Sequence, residues 1–258
     1  MSILLCPVCG EKLNRIDSSF CCRSGHSFDM AKEGYVNLLL GSKPGDSRGD
    51  SKESARARHE FLQKGYYDCL KKAIGERLLG TVLDICCGEG YYDDYDGPFY
   101  GFDISKEMVR LASKRNKSDN YHYFVANLSS IPIESESIDT AMHLFAPFQE
   151  NEFQRVLKPD GVLYSVIPGE NHLFEMKEIL YENPYKNDEK TPETTGALIL
   201  QDTTKVAEKV TITGEDLWTL FSMTPYFYRT SEEDKAKLKA TKSLDLTVEF
   251  VILKYVKH

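Results

Sequence analysis

The chain has no apolar run approaching the roughly 20 residues that a membrane-spanning helix needs. Its first residues also lack the charged-then-apolar pattern of a secretory leader. Both absences lead us to expect a cytoplasmic protein with no membrane partner. The seven cysteines are an odd count, which argues against a disulfide framework in that setting. Positive charge is in deficit, with 32 Lys and Arg against 40 Asp and Glu and a net charge of −8. A nucleic-acid partner looks poorly served by that balance. The deficit is uneven, however: residues 1–80 hold 13 basic and 10 acidic side chains, and the remainder 19 and 30. A mildly basic N-terminal part leaves an RNA contact open there. With 258 residues and 41% hydrophobic content, the chain is long enough for one or two domains with a sizeable core.

The chain is organised around Val82-Leu83-Asp84-Ile85-Cys86-Cys87-Gly88-Glu89-Gly90-Tyr91. An apolar, strand-like run turns on glycines and leads to a second apolar run, Phe99 to Asp103. A strand, a glycine turn and a later acid form the layout of a nucleotide-binding βαβ unit. Glycine lets the backbone approach a ligand that a Cβ would exclude. Asp103, at the expected end of the second strand, can accept hydrogen bonds from both hydroxyls of a ribose. An ordinary strand-to-helix turn with no ligand would share this outline. Only Tyr91 to Phe102 separates the turn from Asp103, and a parallel crossover normally takes at least ~10–12 residues including its helix. One or two helical turns at most are expected there.

Four of the cysteines lie within the first 22 residues, which points to metal. Cys6-Pro7-Val8-Cys9, then Cys21-Cys22 and His26, read as a C-x2-C-x12-C-x3-H set with zinc-type spacing. Cys21 and Cys22 compete for the third position. Four protein ligands leave no open catalytic position, so the site is expected to be structural, with Phe20 and Phe28 as its small core. Gly41 to Ser54 has the composition of a linker or mobile loop. Ser51 to Leu79 reads as two helices interrupted at Gly65-Tyr66-Tyr67.

Further on, Ser105 to Arg115 reads as a helix with a Ser cap. Tyr121–Ala126, Ser137–Phe145 and Val162–Ile167 read as strands three to five, and Leu244–Val256 as a closing antiparallel strand. Gly214–Phe221 reads as a helix. Phe145 and Phe148 lie at the carboxyl end of the fourth strand, where an aromatic could stack on an exposed base or simply belong to the core.

Leu83 to Gly90 resembles motif I of class I S-adenosylmethionine methyltransferases, usually hydrophobic-Asp-x-Gly-x-Gly-x-Gly. Cys86 stands at the first glycine, and cysteine tolerates positive φ poorly. Either that turn is relaxed or the first glycine is dispensable for ligand approach. Gly88 and Gly90 remain as the expected cofactor cradle, and Asn127-Leu128 falls where such folds touch the adenine.

Cys-Pro-x-Cys, the run His26 to Leu39, Pro44-Gly45-Asp46-Ser47, Arg58-x-x-Phe61-Leu62-x-x-Gly65-x-Tyr67 and Cys87-Gly88-Glu89-Gly90-Tyr91-Tyr92 occur in one order. Together they resemble the RlmA family of bacterial 23S rRNA guanine-N1 methyltransferases, from Cys6 to about Phe227. The resemblance implies an α/β, doubly wound Rossmann-like methyltransferase sheet with a small N-terminal zinc-binding domain. The divisions expected are 1–36 for the zinc module that recognises RNA, 37–66 for linker and helix, and 67–258 for the methyltransferase. It implies Cys6, Cys9, Cys22 and His26 as Zn²⁺ ligands, and Tyr67, Gly88, Glu89 and His172 as contacts of S-adenosylmethionine. Lys12, Arg15, Arg23, Lys32 and Arg48 would meet phosphates of a 23S rRNA hairpin. It also admits a homodimer, whose formation the sequence does not fix. Guanine N1 carries a proton, and the sequence does not name the base that takes it. A small-molecule methyltransferase and a non-catalytic cofactor-binding protein are the rival readings.

Overall fold

A computed structural model of the chain describes residues 2–41 and 52–258. The N-terminal segment forms a three-stranded antiparallel ribbon of β1 (Asn14–Ile16), β2 (Ser19–Cys21) and β3 (Ser27–Asp29). Phe20 and Phe28 are paired across β2 and β3. The chain then runs through β4 (Val36–Asn37), α1 (Lys52–Leu62) and α2 (Asp68–Gly75) to β5 (Val82–Ile85) and β6 (Phe99–Asp103). Beyond these come α3 (Lys106–Arg115), β7 (Tyr121–Val125), β8 (Ile138–Leu144), α4 (Glu150–Val156), β9 (Leu157–Pro168) and α5 (Phe174–Leu180). The chain closes with β10 (Leu198–Thr213), α6 (Gly214–Ser222), a 3-10 turn at Pro225–Tyr228, α7 (Glu232–Lys239) and β11 (Ser243–Lys257).

Eight strands make one sheet in the order β10-β11-β9-β8-β5-β6-β7-β4. From β4 to β9 every pairing is parallel, and β11 and β10 enter antiparallel. β5 is buried at all four positions because the sheet is covered on both faces, which is why it reads as an unbroken apolar run. Val82 packs into one core with Ile74, Val109 and Phe250, whereas Leu83 and Ile85 pack into the other with Phe153 and Phe124. The ribbon helps cover that second face: Leu4, Leu13 and Phe20 join Tyr100, Phe102, Ile131 and Ile133. Backbone hydrogen bonds fasten it there, from Leu5 N to Pro132 O at 2.9 Å and from Glu134 N to Ile3 O at 2.9 Å.

Ser105 caps α3 as its sequence indicates, accepting from Met108 N at 3.4 Å. Between Gly90 and β6 there is no helix. Tyrosines do the work a helix would do: Tyr95 donates from its hydroxyl to Gly80 O at 2.9 Å, and Tyr121 donates to Tyr95 O at 2.7 Å. Tyr121 also accepts from Tyr95 N at 3.0 Å, so both backbone groups of Tyr95 are satisfied by one side chain. Two strands differ from the sequence reading. The strand expected over Val162–Ile167 runs from Leu157 to Pro168, with Asp160 at φ +62. The strand β10 goes unread in the sequence because most of its side chains face solvent. Among the described residues no helix is long and apolar enough to cross a membrane.

Candidate active site and metal centre

Two short turns build the metal centre. Gly10 N donates to Cys6 O at 2.8 Å and Gly25 N donates to Cys22 O at 3.1 Å, so each turn aims its cysteines at one point. The ligand atoms of Cys6, Cys9, Cys22 and His26 all lie within 4.8 Å of one another. Cys9 and Cys22 sulfurs are 3.7 Å apart, and His26 Nδ1 is 3.3 Å from Cys22 Sγ and 3.6 Å from Cys6 Sγ. Metal–sulfur bonds of about 2.3 Å in a tetrahedron place sulfurs about 3.8 Å apart, so three thiolates and an imidazole fit Zn²⁺. The competition between neighbouring cysteines is resolved by strand direction. Cys21 ends β2 with its thiol 3.4 Å from Ser27 Oγ, outside the cluster.

A cavity of about 580 Å³ opens at the carboxyl ends of β5, β8 and β9. This is the rim where open α/β sheets bind ligands. It is lined by the motif turn, Asp84 and Cys86 to Glu89, and by Phe145, Lys177, Asn187 and Tyr226. Tyr67 and His172 line it together, with the Tyr67 hydroxyl 3.5 Å from His172 Nε2. His172 Nδ1 accepts from Glu249 N at 3.2 Å, which places the ring proton on Nε2. Burial pulls His172 down to about 4, so the ring is neutral near pH 7.

Cys86 adopts φ +60, so the turn is not relaxed: a cysteine holds the left-handed conformation that a glycine holds without strain. The other two glycines of the motif play different parts. A Cβ on Gly88 would meet nothing within 4 Å, and Gly88 borders the cavity, as a ligand cradle requires. A Cβ on Gly90 would stand 2.8 Å from Asp93 Oδ2 and 3.0 Å from the Ala112 Cβ. Gly90 serves packing beneath the turn and does not line the cavity.

Glu89 lines the cavity, but its buried carboxylate is held by Arg115 and by His59 Nδ1 at 3.0 Å. Asp103, Asn127 and Leu128 lie outside the lining. Asp103 braces the turn instead, accepting from Gly88 N at 3.1 Å and Ser105 N at 2.8 Å. Asn127 turns its side chain onto Ser129 N, and Leu128 packs against the second core. Below the turn, Asp84 and Asp93 are buried together. Burial first, and then each other's charge for Asp84, drives both carboxyls upward, Asp93 to about 6.

Both aromatic candidates line the cavity. Phe148 is half-buried and packs edge-on against His143 and Phe153. Phe145 sits at φ +57 with 45% exposure on the cavity rim, free to meet a planar ligand. Of the basic residues expected at phosphate, Lys12 is paired with Glu134 at 3.0 Å, which clamps the ribbon to the body. Arg15, Arg23 and Lys32 are exposed, and Arg48 lies outside the described residues. Sequence reading gave Lys177 no role and left His143 only as one of the His or carboxylate groups near Phe145–Phe148; both are titratable groups in the cavity wall. Neither carries a local pattern; Lys177 sits in Phe174-Glu175-Met176-Lys177, which looks like any amphipathic helix.

Residues 4–41 match the family model described as "RlmA, N-terminal", and residues 82–161 match one described as a methyltransferase domain. The chain is 30% identical to YxjB of Bacillus subtilis, provisionally named a 23S rRNA (guanine-N(1)-)-methyltransferase, over 98% of this chain and 96% of that one. A provisionally named 23S rRNA (guanine-N(1)-)-methyltransferase of Micromonospora griseorubida is 30% identical over 92% and 90%. The 23S rRNA (guanine(748)-N(1))-methyltransferase of Streptomyces fradiae is 32% identical over 69% of this chain and 67% of that one.

Proposed function

Because the chain belongs to the RlmA-type family of 23S rRNA (guanine-N1)-methyltransferases, we propose that it methylates N1 of a guanine in a 23S rRNA hairpin. It is an S-adenosylmethionine-dependent methyltransferase with a structural zinc site. The observation that carries the proposal is one cavity running from the motif turn to the carboxyl ends of β8 and β9. The part at Gly88 suits the methyl donor, and the part beside Phe145 suits an unstacked base. Tyr67, Gly88, Glu89 and His172 would hold the cofactor, with Gly90, Asp103, Asn127 and Leu128 supporting that end. When bound, S-adenosylmethionine supplies a methyl on an activated sulfonium, so the residues around it mainly align the acceptor.

The neutral His172 ring adds no positive charge beside a cationic donor. Phe145 offers a face on which a guanine can stack. The zinc ribbon, taken as residues 1–36, would hold RNA through Arg15, Arg23 and Lys32, with 37–66 joining it to a catalytic unit of 67–258. Such a substrate places the work in the cytoplasm. A homodimer belongs to the same reading on family resemblance, and sedimentation of the zinc-loaded chain checks it.

The test is methyl transfer from labelled S-adenosylmethionine to undermodified 23S rRNA, mapped by primer extension. A single stop one position before a guanine is the expected result, because N1-methylguanine cannot pair. Cofactor binding with no label in RNA would refute the proposal and favour a small-molecule acceptor.

A further inference from the structure

Resting on that reading, we propose that His143 and Ser165 form a hydrogen-bonded relay that sets the position of Phe145, and with it the place of the acceptor guanine. Phe145 follows β8 directly and holds φ +57, a left-handed conformation that strains an L-residue and persists only where its surroundings impose it. The ring stays 45% exposed in the cavity wall. Among the described residues the only ring it touches is that of Phe250, at 5.8 Å. The backbone is what is held. Phe145 N donates to Val166 O at 3.3 Å, and two residues on, Pro147 O accepts from His143 Nε2 at 3.1 Å. Proline fixes its own φ and keeps Ala146 out of the helical region, so a bond to Pro147 O sets the course of the turn. Phe148 closes the turn by packing edge-on against the same imidazole, with ring centres 5.8 Å apart.

His143 is 3% exposed on β8, and its partners dictate the direction of each bond. A carbonyl can only accept, so Nε2 carries a proton. Burial holds the ring below its ordinary value, so Nδ1 carries none and accepts from the Ser165 hydroxyl at 3.1 Å. Ser165 is fully buried on β9, directly opposite His143 in the strand register. Without that hydroxyl the imidazole can place its proton on either nitrogen, and only one tautomer donates to Pro147. With both nitrogens engaged, His143 has no lone pair for the substrate. It is a positioning residue that acts through Phe145.

The sheet register gives the relay its reach. His143 pairs on its other side with Ile85 of β5, so Ile85, His143 and Ser165 form one rung across three parallel strands. The motif turn leaves this rung at Cys86, next to Ile85. The acceptor turn leaves it at Phe145, two residues past His143. Both turns line the same cavity. A relay anchored on the shared rung therefore references the acceptor to the same backbone that carries the methyl donor. Transfer needs N1, the methyl carbon and sulfur in line, and a misplacement of about 1 Å can cost roughly 100-fold in rate.

The test uses the full zinc-loaded chain and undermodified 23S rRNA under single-turnover conditions. Two amides separate the two ring nitrogens. Gln carries an N–H at the distance of Nε2 and still reaches Pro147 O, whereas the shorter Asn reaches only Ser165. His143→Asn should lower the transfer rate at saturating RNA about 100-fold, and His143→Gln should restore most of it. Calorimetric binding of S-adenosylmethionine should be kept in both. A double-mutant cycle separates positioning from packing: Phe145→Ala should itself be slow, and adding His143→Asn should cost little more, because nothing is left to position. Additive losses in that cycle would overturn the proposal. So would near-wild-type rates in His143→Asn, or equal losses in the Asn and Gln variants that track their melting temperatures. If His143→Asn does not fold, Ser165→Ala takes its place in the cycle, with a smaller loss that should likewise vanish beside Phe145→Ala. Failure of the wild-type chain to label RNA would instead overturn the underlying function and the relay's role with it.

Discussion

Replacing Asp93 by Asn should stabilise the protein at alkaline pH, and the gain should fade as the pH falls. Asp93 is 4% exposed beside Asp84 and is pushed up to about 6, chiefly by burial. Against an ordinary aspartate near 3.9, that is about two units, or a ceiling of roughly 3 kcal/mol at 1.36 kcal/mol per unit. The sign follows from linkage: with the folded value raised, the full stability is present below the unfolded value and is lost as pH rises through the folded one. The wild type therefore bears the cost of a buried charge above about pH 6. An Asn keeps an oxygen to accept from the Tyr123 hydroxyl, and its amide can donate to Asp84. Since Asp84 loses an adjacent charge as well, a gain of about 1–3 kcal/mol is expected, about 3–9 °C in melting temperature for a chain of this size. Thermal melts of both proteins, zinc-loaded and without cofactor, should separate most near pH 8 and converge toward about pH 4. An equal gain at every pH, or a loss at alkaline pH, would show that the carboxyl is not carrying the burial cost.

Cys22→Ser should abolish stoichiometric zinc and lower the melting temperature, whereas Cys21→Ser should keep one zinc per chain by atomic absorption; the reverse would reassign the third ligand. Gly90→Ala should cost about 2–4 kcal/mol by chemical denaturation, from positive φ and the clash with Ala112 and Asp93. Gly88→Ala should cost only about 1 kcal/mol of stability while weakening S-adenosylmethionine at least about tenfold. Burial lowers His172, so folding loses stability as pH falls through the unfolded value toward about 4. His172→Gln should flatten that acid-side decline in melting temperature, and an unchanged slope would count against it.

Features set by neighbours in sequence could be read in advance. The zinc ligands are held by two turns a few residues long, and the Ser105 cap acts over three residues, so spacing reveals both. The apolar run at β5 likewise announces a strand buried on two sides. What escaped depends on distant packing. Gly88 and Gly90 look equivalent in the motif, yet one borders a cavity and the other abuts Ala112 of α3. Lys177 looks like a solvated lysine until Tyr185 and Asn187 close over it. Strand β10 carries Lys, Glu, Asp or Thr at half of its positions, and its partner β11 holds it extended through fifteen paired positions. Cys86 shows the limit from the other side. Its left-handed backbone is enforced by the turn around it, which overrides the preference of the residue itself.

The two margins of the large sheet differ in what they invite. At one margin β4 is two residues long, too short to template another chain. At the other, sixteen residues of β10 present a row of backbone groups that a stray strand could pair with, which is how sheets nucleate aggregation. Lys205, Glu208 and Lys209 act as gatekeepers along it, and the irregular register between Leu200 and Asp202 spoils a flat approach beside exposed Ile199 and Leu200. Much of the polar character that hid this strand from sequence reading therefore serves to keep concentrated protein, and newly made chains, from adhering edge to edge.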